Sequence, residues 1–250
     1  MRGIKKKVLS DSGAGRATLA LPEGEHPKIL RAAQIMREEG ICEPILLGVE
    51  TIVEAKIKEL GLEEGLKGVK IIRPSKSEFR DAFAQRFFEN RQRKGATLAV
   101  ARNLMRQNNY FGAMMVEMGH ADGLLNGISQ SYPETIRPAI QAIGVKPGSR
   151  LAGIYMMIFK RRVLWFADTT VNIEPTAEEL ADIAVQTAQF TRGFIVEEPR
   201  VAMLSFSNFG SNAHPSATKV KKAVELARKI APHLIIDGEM QADTALTADI

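Results

Sequence analysis

Short apolar runs alternating with stretches of helical period constrain this chain more than any other feature. ATLALP, PILLG and KIIRP are each bounded by Gly or Pro, and helical patterns separate them. Such runs read as strands buried on both faces, the signature of parallel strands joined by crossover helices. Between the first two, Ile29, Leu30, Ala33 and Met36 follow a helical period from Pro27 to Glu39, and Gly40 stands where a left-handed turn would end the helix. The pattern predicts a first lobe built from βαβ units.

Further on, Phe79, Ala82, Phe83 and Phe87 share one face of a helix predicted over 77–93. Gly95 breaks it, and Thr97 caps a second helix whose buried stripe is Leu98, Ala101, Leu104 and Met105. YFGAMMV and DGLLNG read as strands, followed by a helix with Pro133 near its start and Pro138 further in, a kink or the true beginning. After the turn-rich GVKPGSR, the runs LAGIYMMIF and VLWFAD are separated only by Lys160, Arg161 and Arg162. That short link predicts a hairpin, so the second lobe should contain an antiparallel pair and a mixed sheet. Alternation then resumes with a helix over 176–192, strand RVAMLSFS, a helix over 216–230 and strand LIID, and ALTAD reads as the opening of another helix. The expected fold class is α/β with two three-layer lobes, 1–147 and 148–250, the second cut short at its C-terminus.

Composition narrows the function. The 250 residues are 45% hydrophobic and 25% charged, enough for two modest cores. No apolar run reaches the roughly 18–20 residues of a membrane-spanning helix, and no secretory segment opens the chain, so a cytoplasmic protein without membrane partners is expected. The single cysteine, Cys42, excludes an internal disulfide and a cysteine-built zinc site. His26, His120, His214 and His233 lack the spacing that puts two imidazoles on one helix face, so no metal is expected. The net charge of +5 is spread among acids, and the phenylalanines look like core; a small polyanion suits this charge better than nucleic acid.

No GxGxxG, GxxxxGK[ST] or GxSxG occurs. Ligands of open α/β sheets gather at the carboxyl ends of strands, which directs attention to loops. RQRKG, from Arg91 to Gly95 and including Lys94, ends the Phe-striped helix. Its cations either complement the helix dipole or grip a phosphate, which the guanidinium fork meets through paired, charge-assisted hydrogen bonds. In NGISQSYPETIRPA, Ser129 and Ser131 precede a helix start and Arg137 lies one or two turns inside, either as a serine cap or as an anion site. SFSNFGSNAHPSATK, with Ser207 and Asn208, is a long polar loop whose small residues would let a ligand approach the backbone.

Taken in order, ALPEGEHPKILRAA, ENRQRKGATLAVA, MVEMGHADGLLNG, ETIRPAIQAIG, FADTTVNIEPTAEELADIAV, VAMLSFSNFGS and IIDGEMQADTAL resemble the phosphotransacetylases, which exchange acetyl groups between phosphate and CoA. FADTTVNIEPTAEE and LSFSNFGS look still more like the phosphotransacetylase-like region at the C-terminus of multidomain NADP-dependent malic enzymes, and MRGIKKKV resembles the basic linker helix that joins the two parts. The resemblance implies a two-lobed fold, a homodimer or higher oligomer, and acetyl-CoA as ligand of Arg91, Lys94, Ser129, Ser131, Arg137, Ser207 and Asn208. It further implies an acetyl-CoA-binding regulatory domain without transferase activity, serving a malic-enzyme region whose NADP and divalent metal lie outside this chain. Two features carry that expectation: the Ser-Arg pair and aspartate of active relatives would lie beyond Ile250, and LAGIYMM replaces their serine-rich pattern. The alternative implied is an active phosphate acetyl- or butyryltransferase.

Overall fold

The computed structural model describes residues 16–160, 162–194 and 198–247. The linker-like opening and the last residues of ALTAD lie outside them. Two compact units divide the described residues at 144/145.

The first unit is a parallel four-stranded sheet in the order β3-β2-β1-β4. Its strands are β1 (Thr18–Leu21), β2 (Glu43–Leu47), β3 (Lys70–Ile72) and β4 (Gly123–Leu124). Period-two alternation splits their side chains between two cores. Ala20, Ile45 and Leu47 face a cluster with Phe83, Phe87, Phe111 and Met114, whereas Leu21 and Leu46 face Leu30, Val53 and Ile57 on the other side. Helices α1 (Pro27–Glu38) and α2 (Glu50–Glu59) bury Leu30 and Val53 in the second core. Gly40 takes the left-handed conformation, φ 67°, that ends α1 as its position predicts.

On the opposite face lie α3 (Arg80–Arg91), α4 (Leu98–Leu104), α5 (Asn108–Glu117) and α6 (Tyr132–Ala142). Thr97 caps α4 by accepting the Val100 N–H at 3.3 Å, as its sequence position indicates. The run YFGAMMV, expected as a strand, is the body of α5. Every residue from Asn109 to Met115 is buried, and a helix buried on all sides shows no amphipathic period by which to tell it from a core strand. Gly112 brings α5 close to the sheet, because a Cβ there would meet Leu124 Cδ1 at 2.8 Å. Pro138 neither starts nor breaks α6. Its missing N–H leaves the Glu134 carbonyl free, and the buried Asn109 Nδ2 donates to that oxygen at 3.0 Å.

In the second unit β5 (Ile154–Ile158) and β6 (Val163–Ala167) form the expected antiparallel hairpin. Strands β7 (Arg200–Leu204) and β8 (Ile235–Met240) pair in parallel. Among the described residues these pairs are separate sheets, where one mixed sheet was expected. Ala181, Ala184 and Ala188 of α7 (Ala177–Arg192) pack on Ala223, Val224 and Ala227 of α8 (Pro215–Ile230), small side chains that let the helices approach closely. A last helix, α9 (Ala242–Leu246), starts earlier than ALTAD suggested. Among the described residues no helix is long and apolar enough to cross a membrane.

Candidate functional site

Arg91 closes α3, and Lys94 lies in the 3-10 turn that follows, ended by Gly95 at φ 86°. Both line a cavity of about 300 Å³ with Asn90, Glu117 and the end of α6 at Gln141–Gly144. Arg91, Lys94 and Gln141 also border an adjoining cavity of about 200 Å³ whose other walls include Phe87, Val100 and Leu104. Glu117 is compensated by Arg86 at 3.1 Å, which leaves the cations of the cavity in excess.

Tyr110 reaches the same cavity wall. Its hydroxyl donates to Gln141 Oε1 at 2.7 Å. Burial pushes the Tyr110 hydroxyl up from the ordinary tyrosine range, while the positive charges of Arg137 and Arg91 act against that shift. Arg137 lies four residues before Gln141 on α6 and so shares its helix face. Among the described residues no ion pair engages Arg91, Lys94 or Arg137. Arg91 and Lys94 are thus unpaired cations beside a cavity, an arrangement that suits a polyanion.

The two serines before α6 have other partners. Ser129 Oγ donates to Glu23 Oε1 at 2.6 Å, and Ser131 Oγ donates to Glu134 Oε2 at 2.6 Å, the capping box that starts α6. Ser207 and Asn208 belong to the second unit. Ser207, 2% exposed, donates to Glu239 Oε1 at 3.1 Å. Asn208 Nδ2 donates to Gln241 Oε1 at 2.9 Å, and its Oδ1 accepts the Gln241 N–H at 2.7 Å. The structure thus places Arg91 and Lys94 on one cavity and Arg137 on the helix whose end also lines it, and each of the four polar residues in a local hydrogen-bonded loop.

Sequence reasoning missed Glu23, Tyr110, Gln141 and Glu239. Tyr110 was hidden inside the misassigned YFGAMMV. Glu23 and Glu239 lie where two strands end, in PEG and DGEM, and an acid beside glycine at the carboxyl end of a parallel strand was the available signal. Among the described residues no group of three or more His, Cys, Asp or Glu is placed to hold a metal ion.

Comparison with known proteins follows from this geometry. The profile of the phosphate acetyl/butaryl transferase family matches residues 3–250. A phosphate acetyltransferase of Thermoanaerobacterium thermosaccharolyticum is 38% identical over 254 residues, covering 99% of this chain and 76% of that protein. Another, from Nitratidesulfovibrio vulgaris, is 40% identical over 244 residues, 97% of this chain but only 34% of the longer relative. A solved phosphotransacetylase from Streptococcus pyogenes superposes with a TM-score of 0.90 at 38% identity, covering 99% of this chain and 74% of that one.

These relatives overturn the expectation of a regulatory domain attached to an NADP-dependent malic enzyme, since each is a phosphate acetyltransferase or phosphotransacetylase. The expected oxidoreductase activity, NADP and divalent metal rested on that attachment alone and fall with it. The blocks that suggested it have local structural roles. In FADTTVNIEPTAEE, Asp168 and Val171 adopt positive φ in a turn, Asn172 Nδ2 donates to Asp168 Oδ1 at 3.1 Å, and Thr176 with Glu179 forms the capping box of α7. In LSFSNFGS, Ser207 and Gly210 are bound to Glu239. With a family profile along nearly its whole length and a phosphotransacetylase fold beneath it, this chain belongs to the phosphate acetyl/butaryl transferase family.

Proposed function

We propose that the protein containing this chain is a phosphate acetyltransferase, interconverting acetyl-CoA plus phosphate and acetyl phosphate plus CoA. Towards acetyl-CoA, the CoA thiol gives up its proton and its sulfur bonds to the acetyl carbon as the carbon–oxygen bond to phosphate breaks; phosphate departs with the electron pair, and the thiol proton passes to it or to solvent. The observation that carries this reading is the cavity lined by the unpaired cations Arg91 and Lys94 and by Gln141, one helical turn beyond Arg137 on α6. A cationic rim next to the apolar walls of Phe87, Val100 and Leu104 suits a coenzyme that joins phosphates to an aromatic base. Ser129, Ser131, Ser207 and Asn208 shape loops in this reading, because their side chains are already hydrogen-bonded within the chain.

The proposed enzyme is a homodimer. Its hairpin leaves Tyr155, Ile158, Phe159 and Phe166 between 42% and 52% exposed, an apolar surface suited to a second copy. Formation of acetyl-CoA from acetyl phosphate and CoA, followed with the full-length protein, tests the activity. Arg91→Ala and Arg137→Ala should each raise KM for CoA about tenfold or more with a smaller change in kcat, the mark of a lost binding contact. No turnover by the full-length protein, or wild-type KM in both variants, would sink the reading.

A further inference from the structure

The segment 125–131 connects β4 to α6 without regular structure; Leu125 still donates its N–H to the Ala20 carbonyl, but the N–H groups of the three consecutive residues 127–129 turn onto one side chain. Glu23 Oε2 accepts the N–H groups of Gly127 at 2.8 Å and Ile128 at 2.9 Å. Glu23 Oε1 accepts both the N–H and the hydroxyl of Ser129 at 2.6 Å. Glu23 is 7% exposed, so its charge is offset by these four bonds and little else. Only an acceptor-only group can meet four donors at once; the amide of glutamine would turn two N–H groups against them.

The carboxylate is itself rigidly placed. Gly24 donates its N–H to the Leu47 carbonyl at 3.2 Å, and a Cβ at Gly24 would meet that oxygen at 2.8 Å. Asn108 Nδ2 donates to the carbonyls of Pro22 and Leu47 at 2.8 and 3.2 Å. The ends of β1 and β2 thus hold Glu23, and Glu23 holds the loop. From the other side Asn109, also 7% exposed, donates to Gln130 Oε1 and to the Glu134 carbonyl. What this double grip fixes is the start of α6, the helix that presents Arg137 and Gln141. A shift of one residue at that start would turn Arg137 by about 100° around the helix axis.

We propose that Glu23 is a positioning residue for the ligand-binding helix α6: by seizing Gly127–Ser129 it sets the rotation of α6 and hence the presentation of Arg137 and Gln141. The proposal rests on the reading of Arg91 and Arg137 as holders of CoA phosphates. A purely supporting Glu23 would lower stability when lost; a positioning Glu23 must also lower affinity, and its charge must be replaceable from outside.

Calorimetric titration with CoA, with folding followed by circular dichroism, separates these roles. Glu23→Ala should weaken CoA binding about ten- to a hundredfold, the equivalent of charge-assisted bonds lost from the anchor. Formate, a carboxylate small enough for the vacated nest, should restore much of that affinity in Glu23→Ala and none in Arg91→Ala. A folded Glu23→Ala protein with wild-type affinity, or with a loss that formate leaves untouched, overturns the proposal. If Glu23→Ala fails to fold, the isosteric Glu23→Gln decides: its loss should not grow when Ser129→Ala is added, and unchanged affinity or fully additive losses overturn the proposal. Arg91→Ala binding CoA like the wild type would instead strike the arginine reading itself, whereas weak binding by Arg91→Ala alone would strike only the role of Glu23.

Discussion

Tyr110 shows how a single residue joins a core to a binding site. Its ring packs edge-on against Phe87, with centroids 5.9 Å apart, while its hydroxyl reaches Gln141 at the cavity wall. Tyr110→Phe keeps the ring and strands a part-buried amide oxygen, so a loss of about 1–2 kcal/mol in urea unfolding is expected, with CoA affinity falling as Gln141 loosens. An unchanged unfolding midpoint would show that the bond contributes nothing. Arg91 stood out in the sequence as a cation at a helix end and Arg137 as one inside a helix start, but only the fold shows Arg91 lining a cavity and Arg137 on the helix that closes it. Tyr110 was not, since an aromatic in an apolar run looks like core until the fold shows where its hydroxyl points. Ser129 and Ser131 were legible as polar loop residues, but their partners, Glu23 and Glu134, could be assigned only from the fold.

Among the elements, α6 departs most from what its sequence suggests. A proline six residues after Tyr132 ought to bend it, but the carbonyl freed by Pro138 is supplied with a donor from a neighbouring helix, Asn109 of α5. Asn109→Ala should therefore cost about 1–3 kcal/mol through the orphaned Glu134 carbonyl. Adding Pro138→Ala returns a backbone N–H to that oxygen, so the double variant should recover part of the loss. Urea midpoints of the single and double variants test this, and additive destabilisation would show that the Asn109 bond does not substitute for the missing helix bond. Strands β1 to β3, the Phe-striped helix and the hairpin were readable because burial leaves a plain period or a plain turn. Helix α5, buried on every side, leaves neither, and β4 is only two residues long.

At the scale of the whole molecule, one device recurs in both units of the described residues. In the first unit Glu23, just past the end of β1, binds the loop that follows β4; in the second, Glu239 at the end of β8 binds the loop that follows β7. Each partner strand is the parallel neighbour in its sheet, and each loop leads into a helix, α6 or α8. Parallel strands end side by side, so an acid at the end of one is well placed to collect the N–H groups of the loop leaving the other. Burial pushes the Glu23 carboxyl up, but the Ser129 hydroxyl and the N–H groups of Ile128, Ser129 and Gly127 outweigh it and hold the group below the usual range. The Gly210 N–H, with smaller help from Ser207 and Lys221, does the same for Glu239 against its own burial. Both native values lie below the unfolded value of about 4.3, so the unfolded chain binds more protons in that window and stability must rise with pH. The stabilisation is complete above about pH 5 and is lost as pH falls through the depressed native values. Glu23→Gln and Glu239→Gln should each cost about 1–3 kcal/mol at pH 7. The paired variant should flatten the decline of the urea midpoint as pH falls below about 4.5, because neither site then has a proton to gain. An acid slope as steep in the paired variant as in the wild type would assign acid sensitivity to other carboxylates, such as Asp122 and Glu134, whose values hydrogen bonds from Thr18 and Ser131 also hold down.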